Sequence, residues 1–167
     1  MRRGVAVLLF LALPVLAGEQ PPGCAWLCGN WTLDAALSER AEPVVDAALG
    51  QRADATRLRE ELLAALTGPT TFVLAEAGDE ILLRVPSRPE RRLTANRSHA
   101  RVDQYGTAEI RATWRGDDSL LVTESYDRRR NQSESYALQR DGTLVITREV
   151  ERPGIKRLKV RAVYRRT

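Results

Sequence analysis

A single histidine, two cysteines and an aromatic content of 5% in 167 residues narrow the possible chemistry of this chain. His99 has no Ser or Cys motif around it, so nothing supplies a base beside a nucleophile and hydrolase chemistry has no support. Cys24 and Cys28 lack the nearby His or Met that a soft-metal site recruits, because His99 is distant and the only methionine is Met1. No metal and no cofactor is expected, and the reading is non-enzymatic. Too few aromatic residues are present for the girdles of an outer-membrane barrel. Neither sign of charge dominates, with 26 basic against 22 acidic residues. The longest apolar run, Val5 to Leu16, spans about twelve residues where roughly twenty are needed to cross a bilayer.

What is present starts with a leader. Arg2 and Arg3 precede that run, and Val15-Leu16-Ala17 offers small residues to a signal peptidase. A signal peptide over 1–17, cleaved after Ala17, is therefore expected, leaving residues 18–167 as one soluble, monomeric domain in the periplasm or the medium. The Ala- and Arg-rich composition looks bacterial. Removal of Arg2 and Arg3 lowers the net charge from +4 to +2. In an oxidising compartment Cys24 and Cys28 are expected to form a disulfide, whose short loop would pin the N-terminal tail rather than hold the fold. All three asparagines, Asn30, Asn96 and Asn131, lie in Asn-x-Ser/Thr sequons, which matter only in a eukaryotic secretory route.

The mature part reads as strands. Ala108, Ile110, Ala112 and Trp114 alternate with Glu109, Arg111, Thr113 and Arg115, the period of two of a half-buried strand. Gly29 to Asp34 predicts a first strand. Two helices follow, near 43–50 and 56–66, the second with Leu58, Leu62, Ala65 and Leu66 in one stripe and Gly68-Pro69 as a stop. They are expected to form a lid over about 35–67. From Thr71 onward the turns Ala77-Gly78-Asp79, Gly116-Asp117-Asp118, Asp141-Gly142 and Pro153-Gly154 punctuate nine further strands, Asp141-Gly142 with a two-residue hairpin signal. About ten strands joined by tight hairpins predict a mainly β, up-and-down antiparallel barrel, closed so as to leave no free edge. On the last strand Arg157, Lys159, Arg161 and Arg165 share one side, a solvated outer face rather than a nucleic-acid stripe.

Gly29-Asn30-Trp31 matches the Gly-x-Trp of the first strand of lipocalins, and one strand, two helices and nine strands resembles the order in fatty-acid-binding proteins. The chain thus resembles the calycin group of ligand-binding barrels. The resemblance implies that Trp31 packs at the closed end under a basic residue of a late strand, with Arg161 or Lys159 the nearest candidates, in a cation–π contact. The Arg-x-Tyr pair with which fatty-acid-binding proteins hold a carboxylate is missing, since Ala162 stands two before Tyr164.

Candidate cavity residues are the inward aromatics Trp114, Tyr126, Tyr136 and Tyr164 and two charges on apolar faces, Glu124 and Arg148. Inward charges must be paired or used. Glu124 and Arg148 could pair with each other or reach water at the barrel mouth; alternatively, Arg148 meets the anionic group of a ligand whose apolar body the aromatics hold. The second alternative calls for a pocket of roughly 300 to 1,000 Å³ beside the helices, with Arg148 and at least two of the four aromatics on its wall. Two functions follow from this architecture: an exported carrier or sensor of a small, mainly apolar ligand, or an envelope interaction protein with a filled barrel.

Overall fold

The computed structural model describes residues 24–51, 55–103, 106–116, 119–126 and 130–167. Residues 1–17 of the expected leader and the side chain of Cys24 lie outside them, and with them the expected cleavage and the expected Cys24–Cys28 bridge. A short 3-10 turn, Cys24–Trp26, leads into β1 (Gly29–Leu33), followed by α1 (Ala41–Leu49) and α2 (Ala55–Leu66). The strands β2 (Thr71–Ala77), β3 (Glu80–Arg84), β4 (Arg91–Thr94), β5 (Ser98–Asp103) and β6 (Gly106–Arg115) follow. Then come β7 (Ser119–Tyr126), β8 (Arg130–Leu138), β9 (Leu144–Arg152) and β10 (Ile155–Arg166).

All ten strands belong to one sheet in the order β4-β3-β2-β1-β10-β9-β8-β7-β6-β5, each hydrogen-bonded pair antiparallel. The sheet curls until its edge strand β4 comes against β6, the neighbour of the other edge strand β5, and no ladder joins β4 to β5. A single bridge, Ala95 to Ala112, with the Asn96 amide donating to the Ala112 carbonyl at 2.7 Å, spans the seam. The barrel is therefore nearly closed rather than closed. β4 is only four residues long, and the chain turns away at Asn96 with φ +60°. The β8–β9 connection also differs from the two-residue turn expected of Asp141-Gly142. It runs from Gln139 to Thr143, because the Asp141 carboxylate accepts both the Thr143 amide and hydroxyl, at 3.0 and 2.7 Å.

The two helices occupy the expected place, with Pro43 in the first turn of α1, where its missing N–H leaves no helical bond unmade. Their apolar stripes, Val45 and Leu49 from α1 and Leu62 and Leu66 from α2, pack on Val150, Leu158 and Val160, which face inward at one end of β9 and β10. The opposite end is filled by Leu27, Trp31, Leu74, Ile81, Leu93, Ile110, Leu120 and Leu144, with Phe72 on the border toward the helices. Trp26 and Trp114 meet there at a tilted 5.5 Å. One half of the barrel is thus solid apolar core, and any cavity must lie toward the helices.

Trp31 is fully buried at the solid end and donates Nε1 to the Leu27 carbonyl at 2.9 Å. The basic residue over its ring is Arg166, 5.0 Å from the centroid, and not Arg161 or Lys159. Parity explains the correction: Leu158, Val160, Ala162 and Tyr164 face inward, so Arg166 continues the inward row while Arg161 and Lys159 point to solvent. The exposed row is paired instead to outer-face acids, Lys159 to Glu149 at 3.2 Å and Arg165 to Asp34 at 2.7 Å. Gly29 gives the Gly-x-Trp motif its physical reason. Its φ is +151°, and a Cβ there would meet Arg166 Nε at 3.3 Å, so glycine leaves the guanidinium room to lie over Trp31.

Candidate functional site

Near the helices the barrel interior turns polar, and β8 carries most of the change. Alternation puts Gln132, Glu134 and Tyr136 on the inner face of β8 and Asn131, Ser133 and Ser135 on the outer. Glu134 lies directly across from Arg148 on β9, and its row continues to Val122 on β7. Its Oε1 accepts from Arg148 Nε at 3.0 Å. Its Oε2 accepts from Arg91 Nη1, reaching in from β4 on the far wall, at 2.9 Å, and from the Tyr136 hydroxyl at 3.1 Å. Burial alone would raise the Glu134 carboxyl, but Arg148 and Arg91 outweigh it and hold the group below the usual carboxylate range. The same burial, with the Glu134 charge beside it, pushes the Tyr136 phenol up, so it stays a neutral donor.

Arg148 is 5% exposed, and its charge is not fully spent on Glu134. Among the described residues neither Nη1 of Arg148 nor Nε of Arg91, both buried, has a hydrogen-bond acceptor in place, and the Tyr164 hydroxyl is an electrostatic partner of Arg148. Tyr164 stands beside Arg148, donates its hydroxyl to the Pro69 carbonyl at 3.1 Å and meets Phe72 edge-on at 4.9 Å. Burial raises its phenol as well. Both side chains press against the end of α2: a Cβ on Gly68 would fall 2.3 Å from the Tyr164 hydroxyl and 2.5 Å from Arg148 Nη1. Only glycine lets the chain leave α2 that close to the buried guanidinium.

These groups border a cavity of about 190 Å³. Ala64 and Ala65 of α2 and Thr67 just past its end roof it, Phe72, Leu83 and Ile146 form its apolar wall, and Arg91, Glu134, Tyr136 and Arg148 its polar one. Arg88, exposed on the turn between β3 and β4, borders it on the outside. The cavity is smaller than the 300 Å³ or more expected from the sequence, because the apolar core fills the other half of the barrel. Of the four expected aromatics only Tyr136 lies on the wall. Tyr164 supports Arg148 from behind, Trp114 is at the solid end against Trp26, and Tyr126 belongs to a second polar group.

That second group corrects the expected pairing of Glu124 with Arg148. Glu124 accepts from Arg101 of β5, from the Tyr126 hydroxyl and, at 2.8 Å, from Gln132 Nε2. β8 stands between β7 and β9, so Glu124 and Arg148 are two strands apart, roughly 10 Å. They also sit in different rows, Glu124 opposite Gln132 and Arg148 opposite Glu134. Glu61, absent from the sequence-level candidates, ties α2 to the rim. It accepts from Arg130 and Arg152 at 2.5 Å each, while Arg152 is further fixed to the Asn131 and Glu151 carbonyls at 3.0 Å. Burial works against the Glu61 carboxylate, yet the two arginines hold it below its ordinary value.

Among the described residues no group of three or more His, Cys, Asp or Glu is placed to hold a metal ion, and no helix is long and apolar enough to cross a membrane. No protein-family model matches the chain, and no curated protein matches it in sequence. Solved structures do. A secretory abundant heat soluble (SAHS) protein of Ramazzottius varieornatus is similar with a TM-score of 0.55 at 14% identity, over 85% of this chain and 96% of that one. As-p18, an extracellular fatty acid binding protein, is similar with a TM-score of 0.54 at 11% identity, over 89% of this chain and all of that one. At such identities the likeness is one of fold: a calycin-like, nearly closed barrel of ten antiparallel strands with two helices inserted after the first.

Proposed function

We propose that this chain is an exported, non-enzymatic carrier or sensor of a small, mainly apolar ligand bearing an acidic group. The ligand is held in the cavity beneath α2, with α1 and α2 acting as its lid. One observation carries the reading: Arg148, almost wholly buried on the cavity wall, keeps an N–H without an acceptor among the described residues. A buried guanidinium donor left unmade is unfavourable in a molecule that has no use for it. The leader over 1–17 and the likeness to an extracellular fatty acid binding protein support export and ligand carriage.

The filled half of the barrel favours the rival reading, an envelope interaction protein with no small ligand. Titration with two environment-sensitive apolar dyes of similar size, one anionic and one neutral, separates the two. Both dyes are expected to bind. Arg148→Ala is expected to weaken the anionic dye by about 1–3 kcal/mol and to leave the neutral one nearly unchanged. Absence of binding by either dye, or equal weakening of both, would favour the filled-barrel reading.

A further inference from the structure

On the outer wall of the barrel, away from the interior cavity, we infer that a trough across β7, β8 and β9 binds an acidic glycan, a linear chain of sugars with a carboxylate on successive units. This surface goes beyond the carrier reading and does not depend on it. The outside of a barrel bulges toward solvent, and here side-chain size reverses that shape. Alternation turns Thr123 of β7, Ser133 and Ser135 of β8 and Thr147 of β9 outward. Register sets them side by side, Thr123 opposite Ser133 and Ser135 opposite Thr147. These short side chains form a floor. Long ones stand at its borders, Arg115 on β6 and Arg157 and Lys159 on β10, and the open trough between them measures about 390 Å³. Two more cations extend the borders by register: Arg111 lies opposite Thr123, and Arg161 opposite Thr147.

The charge of the partner follows from what these borders leave over. Lys159 and Arg157 share Glu149 at 3.2 and 3.8 Å, and Arg157 also reaches Glu151 at 3.9 Å, yet both cations stay nearly two-thirds exposed. Among the described residues Arg111, Arg115 and Arg161 have no side-chain ion pair. Five cations against the outward carboxylates Glu109, Glu149 and Glu151 leave a net charge of +2 on this face. The borders lie four strands apart, roughly 15–20 Å around the wall. A small anion meets one border only, whereas a chain with repeated charges meets both. The floor hydroxyls donate and accept, as those of a sugar do. Among the described residues that line the trough none is aromatic, so nucleic-acid bases have no surface on which to stack. Leu121 is the one apolar side chain there, too little to anchor a protein partner. A planar bilayer touches the raised borders and leaves the floor unused.

Calorimetric titration of residues 18–167 with tetragalacturonate tests this, against maltotetraose as an uncharged chain of equal length, pentathymidylate as an equally charged one, and phosphatidylglycerol vesicles. Tetragalacturonate is expected to bind at least about tenfold tighter than maltotetraose or pentathymidylate and to weaken steeply as salt rises. Arg115→Gln and Lys159→Gln are each expected to lower its affinity about tenfold. Ser133→Gln, which raises the floor without changing the charge, is expected to weaken it as well. Arg84→Gln, on the outer face of β3 and five strands round the sheet from β8, is expected to change nothing. All four positions face outward, and thermal unfolding checks that the variants keep the fold. Equal or tighter binding of pentathymidylate or of the vesicles overturns the glycan assignment. An Arg84→Gln loss equal to that of Arg115→Gln, or an unchanged affinity in Ser133→Gln, overturns the trough as the site. Absence of tetragalacturonate binding overturns both. The apolar dyes report the interior separately, so none of these results bears on the carrier reading.

Discussion

Glu134→Ala is expected to destabilise the fold by about 3–5 kcal/mol, the range for removing one partner of a buried charge cluster. Among the described residues Glu134 is the acceptor of both Arg148 Nε and Arg91 Nη1. Without it two guanidinium groups face each other across the barrel interior, and Tyr136 loses its hydroxyl partner as well. Urea denaturation at neutral pH measures the loss. The effect carries a pH signature. The folded carboxyl is held below its ordinary value of 4.5, so its contribution is full above about pH 4.5 and is lost as pH falls through the folded value. The stability gap between wild type and Glu134→Ala is therefore expected to narrow below that pH. A loss under about 1 kcal/mol at neutral pH, or a gap that does not narrow in acid, would mean that water already screens the cluster.

Trp31→Ala is expected to be of similar size, about 3–5 kcal/mol, as for large aromatic residues removed from packed cores. Trp31 is wholly buried and gives its indole N–H to Leu27. It also lies under Arg166, whose guanidinium donates to the Trp26 carbonyl at 2.8 Å and so ties the N-terminal turn to the last strand. Arg166→Ala removes only a contact at the surface and is expected to lose about 0.5–1 kcal/mol. Thermal unfolding of the two variants checks the ranking, and comparable losses would show that the cation, rather than the ring's burial, dominates the site.

Alternation along the chain made the strands, their order and the helical insert legible, because a period of two and a period of 3.6 are properties of the sequence itself. Pairing between charges was not, since register is decided by strands that the sequence places far apart. Glu124 and Arg148 were both read correctly as inward, yet β8 separates them, and each found a nearer partner. Glu134 carried a usable signal: it stands two residues before Tyr136 and so shares its inner face. Arg91 had a weaker one, because it opens a four-residue strand where alternation has almost no length to register. For Arg166 the sign was parity with Tyr164, obscured by the outward Arg161 and Lys159 on the same strand. The size of the cavity could not be read at all, for it depends on how far core side chains from nine residues and more fill one half of a common interior.

The most direct test of the central claim is NMR mapping of hexanoate binding on residues 18–167, with arginine side-chain signals observed together with the backbone amides. Shifts are expected to centre on Arg148, Arg91 and Ala64, Ala65 and Thr67 at the end of α2 and just past it, with Trp31 and Trp114 unmoved. Shifts confined to the outer face of the barrel, or none at saturating acid, would contradict a ligand site under α2.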